Sequence, residues 1–107
     1  MTEEYLLVLA TCPGHAVAAE IATAVIEQRL AACVNRIGAV QSWFRWNDRL
    51  EQEDEVLLLI KTTRARFPAL QTAIGSLHPG EVPEIIAVPI VAGSAAYLAW
   101  LSESTAP

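Results

Sequence analysis

A long stretch that turns back on itself, ACVNRIGAVQSWFRWNDRLEQEDEVLLLIKT (residues 32–62), decides the fold of this chain. Its first half, 32–46, carries apolar residues at both odd and even positions, as in a strand with two covered faces. Asn47 and Asp48 follow, and both residue types tolerate the left-handed backbone of a two-residue turn. The second half, 49–62, begins polar and ends in the apolar run VLLLIK. These features predict a long β-hairpin.

The segments on either side of the hairpin alternate between strand and helix patterns. Apolar spacing predicts a strand at 5–11, a helix at 15–30, a helix at 64–77, a strand at 84–90 and a short helix after Ser94. The order strand, helix, strand, strand, helix, strand, helix is typical of an α+β, ferredoxin-like split βαβ sandwich with an antiparallel sheet. A chain of 107 residues is expected to form one domain, 1–107.

Composition excludes two classes of partner. Twelve acidic and seven basic residues give a net charge of −5, and the arginines form no stripe, so nucleic acid binding is not expected. The apolar runs are far shorter than the ~20 residues that cross a bilayer, so no membrane partner is expected. The chain also begins with acidic residues, unlike a signal peptide, which predicts a cytoplasmic protein.

The hairpin predicts self-association. One layer of helices cannot cover a sheet that is apolar on both faces, and the arm ends in Trp43, Phe44 and Trp46. Large exposed apolar surfaces of this kind normally mark subunit contacts. We therefore expect a homo-oligomer.

The segment LHPGEVPEII (residues 77–86) concentrates prolines and carboxylates in a few positions. Its prolines fix backbone angles and predict a stiff connector between the second helix and the last strand. The split βαβ connectivity places this connector near the hairpin tip. Trp46, Glu81 and Glu84 are therefore expected to line a cleft between subunits, where ligands usually bind.

Three residues at the same end are candidate metal ligands. Cys12 and His15 stand at a predicted helix start, which favours thiolate, and thiolate with imidazole suits Cu(I) or Zn(II). His78 supplies a third ligand, whereas a closed tetrahedral site needs four, so the expectation is weak copper binding and no other cofactor. The alternative is that Cys12 is an unreactive thiol, His15 is solvated and His78 is a structural hydrogen-bond donor.

Three further carboxylates, Glu51, Glu53 and Glu55, alternate along the return strand of the hairpin. Carboxylates two residues apart on a strand repel one another unless an ion lies between them. We interpret them as a solvated strand face rather than as a metal cluster.

Four segments together resemble one known family in order and spacing. RLAACVN (29–35), EVLLLIKTT (55–63), HPGEVPEII (78–86) and YLAW (97–100) resemble the CutA family of divalent-cation tolerance proteins. The resemblance implies a ferredoxin-like subunit in a homotrimer that exchanges its hairpins. It also implies a non-enzymatic role in tolerance of divalent metals, chiefly copper.

The chain departs from the family pattern at several positions. Gly80 stands where the family usually has tyrosine, and Asp48 where it usually has glycine. The family copper site, a cysteine in the first strand and a pair of histidines, falls on Ala10, Leu77 and His78. Of these three positions, only His78 has the same residue type as the family ligand.

Two other functional classes remain as alternatives. A PII-like signalling module would bind a small molecule in the cleft between subunits, but the chain has no Gly-rich or Lys-rich phosphate loop. The stretch GAVQSWFR (38–45) is faintly similar to an acylphosphatase loop, but it has Ser42 in place of the second glycine and reads as strand. No enzymatic activity is expected.

Overall fold

A four-stranded antiparallel sheet with helices makes up the fold, in the predicted order. The structure is a computed structural model that describes residues 3–107, so the first two residues of the predicted domain lie outside the described part. The elements are β1 (Tyr5–Cys12), α1 (His15–Glu27), β2 (Cys33–Trp46), β3 (Arg49–Thr63), α2 (Phe67–Leu77), β4 (Ile85–Pro89) and α3 (Ala95–Ser104). The sheet order β2-β3-β1-β4 confirms the ferredoxin-like prediction. Among the described helices, none has the length and apolar character needed to span a bilayer.

The hairpin turns where the sequence predicted it. Asn47 and Asp48 have φ angles of 51° and 62°, the left-handed conformation that a two-residue hairpin loop requires. β2 and β3 stay paired to Trp46 and Arg49 at the tip, with one irregularity of register between Ile37 and Val40. The hairpin therefore forms an arm, and the molecule is elongated, with extents of 45 × 25 × 22 Å.

The hydrophobic core lies on one face of the sheet, beneath α1 and α2. Alternate side chains of β1 and β3 are almost fully buried there, together with the apolar faces of both helices. Burial of each large side chain contributes roughly 1.5 to 3 kcal/mol, so this layer supplies most of the stabilisation. The largest members are Ile21, Leu58, Ile60, Leu70, Ile74 and Val8.

The opposite face of the sheet, which we call the open face, has only partial cover. Leu9 and Leu59 pair across β1 and β3 on this face and are half-buried, and Ile86 and Val88 of β4 are 52% and 45% exposed. At one end α3 approaches the sheet, since the Tyr5 hydroxyl lies 2.8 Å from the Ser102 hydroxyl. The prediction of an apolar surface left by one helix layer is confirmed.

Helix α1 ends at Glu27 rather than near the predicted Leu30. Arg29 adopts a φ of 59°, its N–H donates to the carbonyl of Ile26, and the Leu30 N–H donates to that of Val25. This is the Schellman pattern, in which a left-handed residue closes the helix and the next apolar residue returns to the core. The three residues beyond Glu27 are thus the helix cap rather than its last turn.

The connector begins where α2 ends, at Leu77. His78 has a ψ of 129°, the extended conformation that Pro79 imposes on the residue before it. The predicted change from helix to stiff connector at this point is confirmed. Ser94 caps α3 as predicted, accepting a hydrogen bond from the Tyr97 N–H at 3.3 Å.

Candidate functional site

A cleft of about 630 Å³ lies between the hairpin arm and the connector. The arm contributes Trp43, Phe44 and Trp46, and the connector contributes His78 and residues 80–84. Its volume is within the range of ordinary small-ligand sites. Of the sequence-predicted site residues, Trp46, Glu81, Glu84 and His78 line this cleft, whereas Cys12 and His15 are not among its lining residues.

The cleft exists because β3 is longer than its neighbour β1. The last pair between them is Cys12 with Val56, so residues 49–55 of β3 continue with β2 alone. The register then pairs Phe44 with Glu51 and Ser42 with Glu53, which places aromatic rings and carboxylates on one face of the arm. The connector packs beside this projecting part and closes the second wall.

Five glutamates give the cleft a strong negative charge. They come from β3 and from the connector: Glu51, Glu53, Glu55, Glu81 and Glu84. No lysine or arginine is among the lining residues, and within residues 3–107 the ion pair found joins Arg64 to Glu4, outside the cleft. The five charges equal the net charge of the whole chain, so the other acidic and basic residues balance. A concave wall of one sign concentrates counter-ions.

The sequence pattern does not place the three β3 glutamates in a site. Their alternation predicts a solvated strand face, and their side chains are exposed or half-buried. What makes that face a cleft wall is the connector, which arrives some thirty positions later in the chain. The spacing of residues along β3 contains no signal for it.

His78 uses both of its ring nitrogens in hydrogen bonds. Nδ1 lies 2.8 Å from the Gly80 N–H nitrogen, and Nε2 lies 2.7 Å from the Thr11 carbonyl oxygen. Because an N–H group can only donate, Nδ1 accepts, and the proton of the neutral ring is on Nε2, which donates to Thr11. The side chain thereby links the connector to the end of β1.

Cys12 lies in the core rather than in the cleft. Its side chain is fully buried, and burial first, with the charge of Glu55 second, raises the pKa of the thiol from 9.0 to about 11. The expected thiolate at a helix start is therefore corrected, because desolvation outweighs the helix terminus. At neutral pH Cys12 is a protonated thiol.

His15 lies apart, on the exposed surface at the start of α1. Its ring rests on the backbone of Gly38, where an added Cβ would lie 3.0 Å from Cε1 of the imidazole. Gly38 falls at the irregularity of β2. The imidazole packs over this bulge, which accounts for a small residue at position 38.

The three predicted ligands do not fit a copper site within one chain. Across residues 3–107 no group of three or more His, Cys, Asp or Glu side chains is arranged to hold a metal ion. A metal ligand needs a free lone pair, whereas both nitrogens of His78 are engaged and Cys12 keeps its proton. The shared site for Cys12, His15 and His78 stays a prediction that this geometry does not support.

Comparison with known proteins gives consistent matches over most of the chain. The family model described as "CutA1 divalent ion tolerance protein" matches residues 6–104. The "Divalent-cation tolerance protein CutA" of Thermus thermophilus is 48% identical over 99 residues, which are 92% of this chain and 96% of that protein. "Protein CutA" of Homo sapiens is 47% identical over 95 residues, 89% of this chain, but the match spans only 53% of the human protein.

Solved structures agree with these matches. The divalent cation tolerance protein (Cut A1) of Thermus thermophilus superposes with a TM-score of 0.92 at 47% identity, covering 98% of this chain and 100% of that one. CutA1 from Oryza sativa gives a TM-score of 0.94 at 35% identity, covering 98% and 96%. The fold described above is thus similar to theirs over almost all of the described chain.

Proposed function

Because the chain belongs to the CutA1 family of divalent ion tolerance proteins, we propose that it serves in tolerance of divalent metal ions, as a homotrimer without enzymatic activity. The names of its relatives describe no catalysis. The relatives' names concern ions, and the structural observation that supports the proposal is the charge of the cleft.

The cleft attracts divalent cations electrostatically. Five carboxylates face a common space without a basic side chain among its lining residues, and the attraction of a doubly charged ion grows with each of them. Since no preformed group of three ligands is present within residues 3–107, the ion keeps part of its water shell. Binding of this kind is weak and rapidly reversible.

The donor chemistry bears on which metal is preferred. Carboxylate oxygens suit hard ions such as Mn(II) and Mg(II), whereas Cu(I) prefers thiolate. Cu(I) is therefore expected to bind weakly, whereas Cu(II), which exceeds Mn(II) and Zn(II) in affinity at a given site, can bind the carboxylates. Its affinity rests on the carboxylates rather than on Cys12.

The homotrimer is supported by two apolar surfaces. The open face leaves Ile86 and Val88 about half exposed, and Trp43 on the arm is 60% exposed. Surfaces of this kind are normally covered by another chain. We propose that neighbouring subunits cover them and that the cleft containing Trp46, Glu81 and Glu84 lies at their boundary.

The PII-like alternative is weakened by the same charge. A nucleotide or another small anion would face five carboxylates in this cleft and meet no lysine or arginine among its lining residues. Like charges repel, so the carboxylates oppose binding of an anion in the cleft. A cationic ligand agrees with the lining and an anionic one does not.

A calorimetric titration tests the role of the carboxylates. The variant E51Q/E53Q/E55Q removes three charges from the cleft, and E20Q/E27Q removes two from the exposed surface of α1. We expect the cleft variant to weaken Mn(II) and Zn(II) binding by about tenfold or more, because each charge lies close to the ion. The α1 control should stay near wild type. Equal affinities in all three proteins would refute the proposed site.

A further inference from the structure

We propose that His78 is a positioning residue, a neutral latch that fastens the connector to the end of β1, and that it does not ligate metal in the folded chain. This goes beyond the proposed function, because it concerns how the cleft wall is held rather than which ion the carboxylates attract. His78 is also the one position that matches a ligand of the family copper site, so the structure and the resemblance disagree here.

The latch joins three parts of the molecule through one ring. The backbone N–H of His78 donates to Ile74 in the last turn of α2 at 2.9 Å. The ring donates from Nε2 to the carbonyl of Thr11 at 2.7 Å, and Nδ1 accepts from Gly80 at 2.8 Å. Helix end, strand end and connector are therefore tied at a single residue.

Gly80 is part of the latch because it leaves room for the ring. A Cβ at position 80 would lie 2.8 Å from Cε1 and 2.9 Å from Nδ1 of His78, closer than real contacts allow. A side chain there would require the imidazole or the backbone of residue 80 to shift. Glycine at position 80 thus lets the His78 ring lie where it accepts from the Gly80 N–H.

The latch determines where the connector wall stands. Glu81 and Glu84 follow Gly80 directly and line the cleft opposite the arm. Pro79 and Pro83 stiffen this segment, so a fixed point at residues 78 and 80 fixes the segment as a whole. Without the ring, the carboxylates would have one anchor, at β4, instead of two.

Metal coordination at His78 and a closed latch exclude each other. A metal on Nδ1 would displace the Gly80 N–H, and a metal on Nε2 would require loss of the proton that Thr11 accepts. Metal binding at either nitrogen therefore breaks one hydrogen bond of the ring. Cys12 is buried and protonated, so it provides no thiolate as a second ligand. The ring is therefore structural.

The test is nuclear magnetic resonance of the ¹⁵N-histidine-labelled wild-type protein, followed by addition of Zn(II). We expect the neutral tautomer with the proton on Nε2, and a His78 ring that keeps this proton and this tautomer when Zn(II) is added. A proton on Nδ1, or loss of the Nε2 proton in proportion to bound Zn(II), would overturn the proposal. This measurement needs no variant to fold.

Amide exchange in variants supplies a second readout. His78→Ala should speed exchange of the Gly80 amide about fivefold or more, as loss of one net hydrogen bond implies. Because Glu81 and Glu84 would then keep only one anchor, any fall in Zn(II) affinity should come together with faster exchange of the amides of residues 81–84. His78→Gln keeps a donor for Thr11 and should return amide exchange of residues 81–84 toward wild type. His15→Ala, the control, should change neither amide exchange nor Zn(II) affinity. A tenfold loss of Zn(II) affinity in His78→Ala with unchanged Gly80 exchange would contradict the latch.

Discussion

Cys12 shows how one residue's surroundings reverse a local expectation. Thiolate is favoured at a helix start in isolation, but β1 places this side chain among buried apolar residues, which keeps the thiol neutral. The signal was available in the sequence, because Cys12 shares the even positions of β1 with Leu6, Val8 and Ala10. The alternation of buried and exposed side chains along β1 predicts that Cys12 is buried, whereas its closeness to the start of α1 does not.

The raised pKa of Cys12 predicts a loss of stability at alkaline pH. The unfolded thiol ionises near 9.0 and the folded thiol near 11, so the folded state holds its proton longer. The free energy of unfolding should therefore fall between pH 9 and pH 11, by on the order of 2 kcal/mol from this group. Urea denaturation across that window measures it.

The control for this prediction is Cys12→Ala, which removes the titration while other alkaline groups remain. The variant should lose less stability than wild type between pH 9 and pH 11. If the free energy of unfolding fell equally steeply with pH in the two proteins, Cys12 would ionise in the folded state as it does in the unfolded state.

For His78, the sequence predicted the kind of interaction but not the partner. A structural hydrogen-bond donor was one of two interpretations, and the geometry agrees with it. The acceptor, Thr11, lies 67 positions away and offers a backbone carbonyl, which every residue has. No residue pattern encodes such a contact, because only the packing of β1 beside the connector creates it.

At the scale of the elements, the hairpin turn is held by residues that are adequate rather than optimal. Asn47 and Asp48 both have positive φ, and a residue with a Cβ is strained there while glycine is not. Asp48→Gly should therefore raise the free energy of unfolding by about 0.5 to 1 kcal/mol. Asp48→Val should lower it by at least as much.

Thermal denaturation of both position 48 variants measures this effect. Glu53→Gly, in the middle of β3, serves as a control, since glycine should weaken a regular strand. If Asp48→Gly were destabilising to the same degree as Glu53→Gly, the turn would not have the left-handed geometry described here.

Helix α3 is anchored by two arginines at its end. Arg29 donates from Nε to the Ala106 carbonyl and from Nη2 to that of Glu103, both at 2.6 Å, and Arg66 donates to Thr105. These bonds pair carbonyl groups that the end of a helix leaves free. The sequence predicted α3 through its cap at Ser94, but not these anchors, which come from distant segments.

Loss of the Arg29 anchor should loosen α3. Arg29→Met keeps much of the side chain but removes both hydrogen bonds, and we expect about 1 to 2 kcal/mol of destabilisation. Arg29→Lys should restore little, because an ammonium lacks the planar fork that reaches two carbonyls. Arg49→Met on the exposed hairpin is the matched control. Denaturation curves of Arg29→Met that overlay those of Arg49→Met would argue against the anchor.

At the scale of the whole molecule, the sequence predicted the fold well and the cleft only in part. Periodicity and turn chemistry are local, so the element order and the hairpin could be read from neighbouring residues. The apolar open face could also be predicted, because the sheet is apolar on both faces and the sequence has only one layer of helices to cover it. The full acidic wall could not be predicted, since Glu51 and Glu84 meet only after the connector packs against the arm.

Native mass spectrometry of the wild-type protein and E51Q/E53Q/E55Q, each with and without Mn(II), tests the trimer and the cation site together. We expect a trimer for both proteins, with more Mn(II) bound to the wild type than to the variant. A monomeric wild-type protein, or equal Mn(II) retention by the two proteins, would contradict this expectation.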